Sequence, residues 1–314
     1  MVELPARRLM LVHAHPDDET INNGVTMARY VAEGAHVTLI TCTLGEEGEV
    51  LVPELTHLAA DQTDQLGEHR IGELAAAMAE LGVTDHRYLG APGKYRDTGM
   101  IYNDEGNADV PPETRKDSFW QADLLTAADD LVPVIREIRP QVLVTYDQYG
   151  NYGHPDHIKA HRVATYAAAL ADARSYREDL GEAWEIPKIY WVAMAESRMR
   201  ASLRQLREAG DTTTFEGMDP EGPLGPLVTP DRLIDCVIEG GEFLDRKLNA
   251  MKAHATQITV DGPFFALSNN NGNEIWGSEQ YRLVKGTAVP GPDGVEHDLF
   301  AGLQDAGDGS HTLG

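Results

Sequence analysis

The 314-residue chain has little cysteine, little positive charge and no long apolar run. Its two cysteines, Cys42 and Cys236, are too few for a disulfide framework, and the start lacks the layout of a secretory signal, so we expect a reducing cytoplasm. No apolar stretch reaches the roughly 18 residues that would predict a membrane span. Lysine and arginine number 26 against 51 acidic residues, and the formal charge of −25 disfavours nucleic acid and anionic membranes as partners.

Signatures of nucleotide binding are missing as well. No Gly-x-Gly-x-x-Gly follows the first predicted strand, and no Walker-type sequence occurs in the chain. What is present is a composition of 42% hydrophobic and 25% charged residues, which is typical of a globular protein.

Short β-rich runs alternate with long helical stretches over the first 175 residues. The patterns predict strands at 9–13, 36–43, 86–89 and 141–146, and helices at 23–33, 58–81, 122–138 and 156–173. Strands separated by helices of this length predict βαβ units, and hence an α/β, Rossmann-like fold whose mostly parallel sheet carries helices on both faces.

The alternation loosens after Pro187. A fifth strand at 188–194, a loop at 212–230, a helix at 241–254 and short strands at 258–260 and 280–284 predict a smaller C-terminal α+β lobe. We therefore expect a core at 1–195, a lobe at 196–302 that completes the substrate cleft, and a flexible tail at 303–314.

Two predicted strands end in clusters of histidine and aspartate. The string VHAHPDDE occupies 12–19 after an apolar run, and GHPDH occupies 153–157 after another. Ligands of open α/β sheets bind at the carboxyl ends of strands, so both clusters are expected at one site. Catalytic zinc commonly takes three protein ligands and leaves one position open. The candidate ligands are His13, His15, Asp17, Asp18, Glu19, His154, Asp156 and His157.

Two alternatives apply to these clusters. His157 and His161 are four residues apart on a predicted helix, a zinc-pair spacing, but Ile158 stands where a zincin carries glutamate, which favours a packing role for His161. A hydrogen-bonded polar cap on the sheet is the other alternative. A third polar string, LGEEGE at 44–49, suits either a hydroxyl-rich ligand or an acidic surface turn.

The paired strings AHPDDE at 14–19 and HPDH at 154–157 resemble the LmbE-like (PIG-L) zinc deacetylases, which remove acetyl from N-acetylglucosamine-type sugars. The resemblance extends to 41–50, 69–74, 95–100 and 253–258 and so covers most of the chain. It implies zinc-dependent hydrolysis of the acetamide of N-acetylglucosaminyl-inositol, the reaction of the mycothiol-pathway members.

The related members that cleave mycothiol S-conjugates typically carry a lysine shortly after the first string. This chain reads TINNG at 20–24, which favours the deacetylase over the conjugate amidase. A non-catalytic metal- or sugar-binding module and a nucleotide-dependent glycosyltransferase are alternatives from other classes.

The resemblance implies that zinc is held by His15, Asp18 and His157, and Fe²⁺ can occupy such nitrogen and oxygen ligands in its place. It makes Asp17 the general base that activates the attacking water. His154 would stabilise the oxyanion or protonate the leaving amine.

Further roles follow from the same resemblance. Asp156 would orient the His154 ring, and Tyr152 would polarise the amide carbonyl. The positions matching the family's sugar contacts are Arg70, Asp97, Glu49 and Met100, whereas His13 has no ligand role and is expected to pack near the site. We expect a small amino-sugar substrate, no nucleic acid, no membrane, and a monomer or small homo-oligomer. Inserts at 102–116 and 212–227 are expected to shape the substrate mouth.

Overall fold

A computed structural model describes residues 4–104, 108–260 and 277–303 of the chain. Strands and helices alternate along these segments as the sequence predicts. The strands are β1 (Arg8–His13), β2 (His36–Thr41), β3 (Asp85–Tyr88), β4 (Ile101–Tyr102), β5 (Ala108–Asp109), β6 (Val142–Thr145), β7 (Lys188–Ala193), β8 (Cys236–Glu239) and β9 (Ser278–Lys285). The helices are α1 (Asp18–Ala32), α2 (Leu66–Leu81), α3 (Leu124–Ile138), the short α4 (Gly150–Gly153), α5 (Pro155–Asp172), α6 (Glu196–Glu208) and α7 (Leu244–Ala253).

The central sheet has the strand order β3-β2-β1-β6-β7-β9-β8. Its pairs from β3 to β7 are parallel, and β9 runs antiparallel to both β7 and β8. The chain moves outward from β1 to β3 and then returns to β6 on the other side of β1. The topological switch point therefore lies between β1 and β6, where ligands of open α/β sheets bind.

Helices cover the sheet in two groups. Helices α1, α2 and α7 pack together, and α3 packs against α5. Parallel crossovers are right-handed. The chain moves from β1 toward β3 in one direction and from β6 toward β7 in the other, so the two groups of helices lie on opposite faces of the sheet. Leu9, Met10, Leu11 and Val12 of β1 are fully buried, as expected for a central strand covered on both sides. The predicted α/β fold is confirmed.

Local signals explain where the helices begin and end. The Asp123 carboxylate accepts the backbone N–H of Thr126 at 2.8 Å and so caps the start of α3. Helix α2 ends at Gly82, whose φ of 78° is the left-handed conformation that glycine adopts without steric cost. Pro155 occupies the first turn of α5, where its missing N–H costs no hydrogen bond.

Several predicted boundaries were wrong. Helix α1 begins at Asp18, five residues earlier than expected, and α2 begins at Leu66 rather than at residue 58. The predicted strand at 258–260 is not a strand, while α6 and β8 were missed. The apolar stripe of α6 is formed by Met199, Leu203 and Leu206. It was not recognised in the sequence because most other residues of this helix are charged or polar.

The C-terminal part of the chain contributes to the main sheet. Strands β8 and β9 extend it beyond β7, so the residues after 195 share one sheet with the core. The division into core and lobe stays a prediction, and the predicted tail lies outside the described residues beyond position 303. None of the described helices is long and apolar enough to cross a membrane.

Candidate active site

The two histidine-aspartate clusters lie together at the switch point. The first follows β1 and enters α1, and the second follows β6 through α4 into α5. They line a pocket of about 600 Å³, whose wall also includes side chains from the loops at 47–49 and 97–100, from α7 and from β9. The predicted convergence of two distant segments is therefore present in the folded chain.

Asp18 lies between two imidazole rings. Its Oδ2 is 3.2 Å from Nδ1 of His15, and its Oδ1 is 3.3 Å from Nε2 of His157. The ring centroids of the two histidines are 5.2 Å apart. All three residues are buried. Asp18 is the first residue of α1, so the positive end of the helix dipole stabilises its charged carboxylate.

The far nitrogens of both rings lie close to oxygen atoms that can accept their N–H. Nε2 of His15 is 3.4 Å from a carboxylate oxygen of Asp97 and also 3.4 Å from one of Asp156. Nδ1 of His157 lies 3.2 Å from the carbonyl oxygen of Gly150. Against the effect of burial, the surrounding carboxylates raise the pKa of His15 well above its usual value. A bound cation would displace that proton, and rings that donate from their far nitrogens would then present Nδ1 of His15 and Nε2 of His157 to it.

This arrangement fits a divalent cation. Nε2 of His157 is buried and makes no well-aligned hydrogen bond, although Oδ1 of Asp18 lies 3.3 Å away, which is costly for a polar atom unless a ligand occupies its lone pair. Metal-binding histidines usually donate their other N–H to a carboxylate or carbonyl, and both rings have such an acceptor within 3.4 Å. Two further groupings have ligand atoms within 4.8 Å of one another: His15, His154 and His157, and His15, Asp97 and Asp156. The described residues thus contain a possible histidine-aspartate metal site.

Asp17 has an unusual backbone. Its φ of 114° lies in a region that non-glycine residues rarely adopt, and such strain is often found at functional sites. Arg70 Nη2 is 3.1 Å from the Asp17 carboxylate and also donates to the carbonyl of Pro16. Burial, offset in part by Arg70, raises the pKa of Asp17 to about 6. This value suits a group that accepts and returns a proton near neutral pH.

His154 precedes α5 and is held by the backbone. Its Nδ1 accepts the N–H of Asp156 at 3.1 Å, which leaves Nε2 as the protonated nitrogen of the neutral ring. Burial, together with His15 and His157, lowers the pKa of His154 well below its usual value. The ring is therefore a neutral hydrogen-bond donor that faces the pocket.

The predicted role of Asp156 needs a correction. Its carboxylate does not orient His154. It accepts the backbone N–H of Thr98 at 2.8 Å and the Thr98 hydroxyl, and it lies beside Nε2 of His15. The contact with His154 is made by the Asp156 main chain, because the first turn of α5 directs a free N–H at the preceding residue.

Tyr152 stands on a tightly built turn over the site. Its ring centroid is 5.1 Å from that of His157 and 6.2 Å from that of His154. Burial raises its pKa above the usual value, so the phenol keeps its proton as a donor. Gly150 has a φ of 64°, and a Cβ there would lie 2.8 Å from the backbone nitrogen of Ile158. The turn can approach α5 this closely only with glycine.

Two of the residues predicted to contact the sugar make hydrogen bonds within the protein. Arg70 is 2% exposed and also donates to the carbonyl of Gly45 at 2.8 Å. Asp97 accepts the N–H of Gly99 at 2.8 Å and lies beside His15. Both line the pocket, as do Glu49 and Met100.

The inserts differ in their relation to the pocket. Residues 212–227 supply Phe215, Pro226 and Leu227 to its wall, whereas the described part of 102–116 supplies none of the wall residues. His13 is buried and hydrogen-bonded to Asn23 at 2.7 Å, in keeping with a packing role. His161 contacts the Tyr146 carbonyl at 3.0 Å rather than the histidine cluster.

Sequence reasoning missed the supporting contacts of the site, although it had named Glu19 as a candidate metal ligand. Thr98 holds the Asp156 carboxylate, and Glu19 and His254 form a buried pair at 2.9 Å beside Asp17. Glu19 is part of the first string, and His254 lies in another matching string. Their pairing could not be read from the sequence, because 235 positions separate them.

Comparison with known proteins identifies the family of this chain. The family model of GlcNAc-PI de-N-acetylase (PIG-L) matches residues 10–168, and the chain belongs to this family. It is 82% identical over 303 residues to the 1D-myo-inositol 2-acetamido-2-deoxy-alpha-D-glucopyranoside deacetylase of Kribbella flavida, covering 96% of this chain and 100% of that protein. The protein of the same name from Nocardioides sp. is 68% identical over 298 residues, with 95% and 99% covered.

Solved structures share the fold. The N,N'-diacetylchitobiose deacetylase from Pyrococcus horikoshii superposes with a TM-score of 0.57 at 17% identity, covering 91% of this chain and 88% of that one. The zinc-inhibited form of teicoplanin deacetylase gives a TM-score of 0.52 at 18% identity, covering 88% and 98%. At these identities the likeness concerns the architecture alone.

Proposed function

We propose that this chain hydrolyses the acetamide of 1D-myo-inositol 2-acetamido-2-deoxy-α-D-glucopyranoside to glucosaminyl-inositol and acetate. The observation that carries the proposal is the Asp18 carboxylate between Nδ1 of His15 and Nε2 of His157, directly beside the strained Asp17. The names of relatives up to 82% identical support the choice of substrate.

The residues His15, Asp18 and His157 would hold the metal. Bound Zn²⁺ would supply Lewis acidity toward the acetyl carbonyl and lower the pKa of a water molecule. The mixed nitrogen and oxygen ligands also suit Fe²⁺. The name of a structural neighbour, the zinc-inhibited form of teicoplanin deacetylase, supports zinc binding by this fold.

Asp17 is the proton carrier in this proposal. As a carboxylate it accepts a proton from the water that attacks the acetyl carbon. The neutral acid then returns that proton to the departing amine nitrogen as the carbon–nitrogen bond breaks. The Arg70 contact at 3.1 Å keeps the carboxylate directed into the pocket through both steps.

His154 and Tyr152 stabilise the oxyanion that forms on the acetyl oxygen. Both are neutral donors at the pocket wall, His154 through Nε2–H and Tyr152 through its phenol. Burial and the neighbouring histidines lower the pKa of His154, so its ring stays neutral and acts as a hydrogen-bond donor. Asp17 is therefore the acid that protonates the amine. Preorganised donors of this kind act in a water-poor site, where each is commonly worth about 3 kcal/mol.

The remaining features support a small polar substrate inside the cell. Glu49 and Asp97 carry carboxylates at the pocket wall that suit sugar hydroxyls. The two cysteines are buried free thiols, which supports a reducing compartment. We infer a cytoplasmic enzyme that works as a monomer or small homo-oligomer.

The test is a parallel assay of zinc-loaded protein with N-acetylglucosaminyl-inositol and with a mycothiol S-conjugate. Free amine and acetate are measured in the first arm, and free amine in the second. We expect equal amounts of amine and acetate from the first substrate and slower release from the conjugate. Faster cleavage of the conjugate would assign the amidase activity instead, and no release from either would favour a binding module.

A further inference from the structure

The buried pair of Glu19 and His254 is not used by the proposed chemistry. Both side chains are fully inaccessible to solvent. Oε1 of Glu19 is 2.9 Å from Nε2 of His254 and accepts the Thr20 hydroxyl at 2.6 Å. Burying a carboxylate is costly unless it is fully hydrogen-bonded, so the second oxygen of Glu19 also needs a hydrogen-bond donor.

That donor is supplied by the proposed base. Oε2 of Glu19 accepts the backbone N–H of Asp17 at 2.9 Å. Asp17 is the residue with a φ of 114°, and a backbone in that region persists only where its surroundings impose it. The Glu19 carboxylate supplies one such restraint, on the main chain. Arg70 supplies another, on the Pro16 carbonyl and on the Asp17 side chain.

The two restraints are joined through helix α2. Arg70 and Glu73 are three residues apart on that helix and so lie on one face. The Glu73 carboxylate accepts the backbone N–H of Thr256 at 2.8 Å and its hydroxyl at 2.7 Å. Thr256 follows His254 after the end of α7. The contacts therefore form a closed ring that runs from Asp17 through α2 to the end of α7, and back through Glu19.

We propose that Glu19 and His254 are positioning residues, which hold Asp17 in its left-handed backbone conformation and thereby direct its carboxylate at the reacting water. The inference rests on the proposed function, because it concerns the proton carrier of that reaction. It assigns a role to the segment after α7, whose His254 makes no contact with the metal-binding histidines among the described contacts.

The experiment compares Glu19→Leu, which removes the acceptors at similar volume, with Glu19→Gln, which keeps one acceptor oxygen. Steady-state kinetics with N-acetylglucosaminyl-inositol, zinc content and a crystal structure are measured for each. We expect Glu19→Leu to lower kcat by about 10²-fold, as for a misplaced catalytic group, with KM within about threefold and one zinc retained. The φ of Asp17 should become negative in this variant, and Glu19→Gln should recover most of kcat.

A matched control is Glu296→Gln. Glu296 is also a buried carboxylate, paired with Lys188 at 2.6 Å, but it does not line the pocket. We expect this variant to lose stability and keep kcat. A similar fall in kcat in the control would mean that any buried carboxylate has this effect, and the positioning role would be refuted.

His254 provides a second test if Glu19→Leu does not fold. His254→Gln retains an N–H for the Glu19 carboxylate, and His254→Leu does not. We expect low kcat with normal zinc content in the Leu variant and recovery in the Gln variant. Wild-type kcat in His254→Leu, or loss of zinc together with kcat, would overturn the inference. An inactive wild-type enzyme would instead refute the proposed function.

Discussion

Replacing Asp17 with asparagine tests the proposed proton carrier most directly. Asparagine has the same shape, its Oδ1 can still accept from Arg70, and its backbone N–H can still donate to Glu19. Asparagine also tolerates positive φ better than most residues, so the φ of 114° is kept. The substitution therefore removes the ability to accept a proton and leaves the geometry in place.

The expected loss follows from general base catalysis. A positioned base commonly contributes a factor of about 10² to 10⁴, which corresponds to about 3 to 5.5 kcal/mol of transition-state stabilisation. We expect Asp17→Asn to lower kcat by that factor while zinc content stays at one per chain, because the three proposed ligands are untouched. KM should change little, since the carboxylate acts mainly in the transition state.

The assay measures acetate release under saturating substrate, with zinc quantified in the same preparation. Asp123→Asn is the matched control, because Asp123 caps α3 away from the pocket and asparagine caps helices equally well. The control should keep wild-type kcat. If Asp17→Asn keeps more than about a tenth of wild-type kcat with zinc bound, its loss is smaller than a positioned base commonly contributes, and Asp17 is not the base.

Further outcomes can be checked with standard assays. Removing zinc with a chelator should abolish acetate release while the fold is retained, and added Zn²⁺ should restore release; turnover that persists in the metal-free protein would exclude a catalytic ion. His157→Ala should lose both zinc and activity, and measured zinc at wild-type occupancy would contradict its ligand role. Tyr152→Phe should lower kcat by about 10²-fold with zinc retained, as for other lost oxyanion donors; an unchanged kcat would remove Tyr152 from the mechanism. Arg136 is buried and donates to backbone carbonyls of Leu170, Ala171, Ala173, Tyr176, Arg177 and Gly181. Denaturant unfolding should show Arg136→Met to be at least about 3 kcal/mol less stable, because buried acceptors lose their donor, while Arg139→Met, at a side chain that is 42% exposed, changes stability far less.

The sheet and the position of its site could be predicted because they depend on patterns within short stretches of the chain. The apolar run at 9–12 and the Val-Leu-Val run of β6 have the composition of buried parallel strands. Each is followed directly by its histidine-aspartate string. Neighbouring parallel strands end at the same edge of a sheet, so the meeting of both strings follows from the strand pattern.

The orientation of individual carboxylates was not predictable in the same way. Asp17 and Asp18 are adjacent in the chain, yet one points to Arg70 and the other to two histidines. This difference arises from the positive φ at Asp17 and from the start of α1 at Asp18. The sequence pattern placed the start of that helix five residues too late.

By itself the sequence determined the kind of fold, the edge of the sheet that carries the site and the residue types available there, because strand composition and short-range spacing are properties of contiguous chain. Only the tertiary structure decided that Asp156 holds His15 instead of His154, that Arg70 serves Asp17, and that Glu19 meets His254. These contacts join residues 53 to 235 positions apart. Such pairs depend on how helices pack on the sheet, and packing depends on all the contacting surfaces at once.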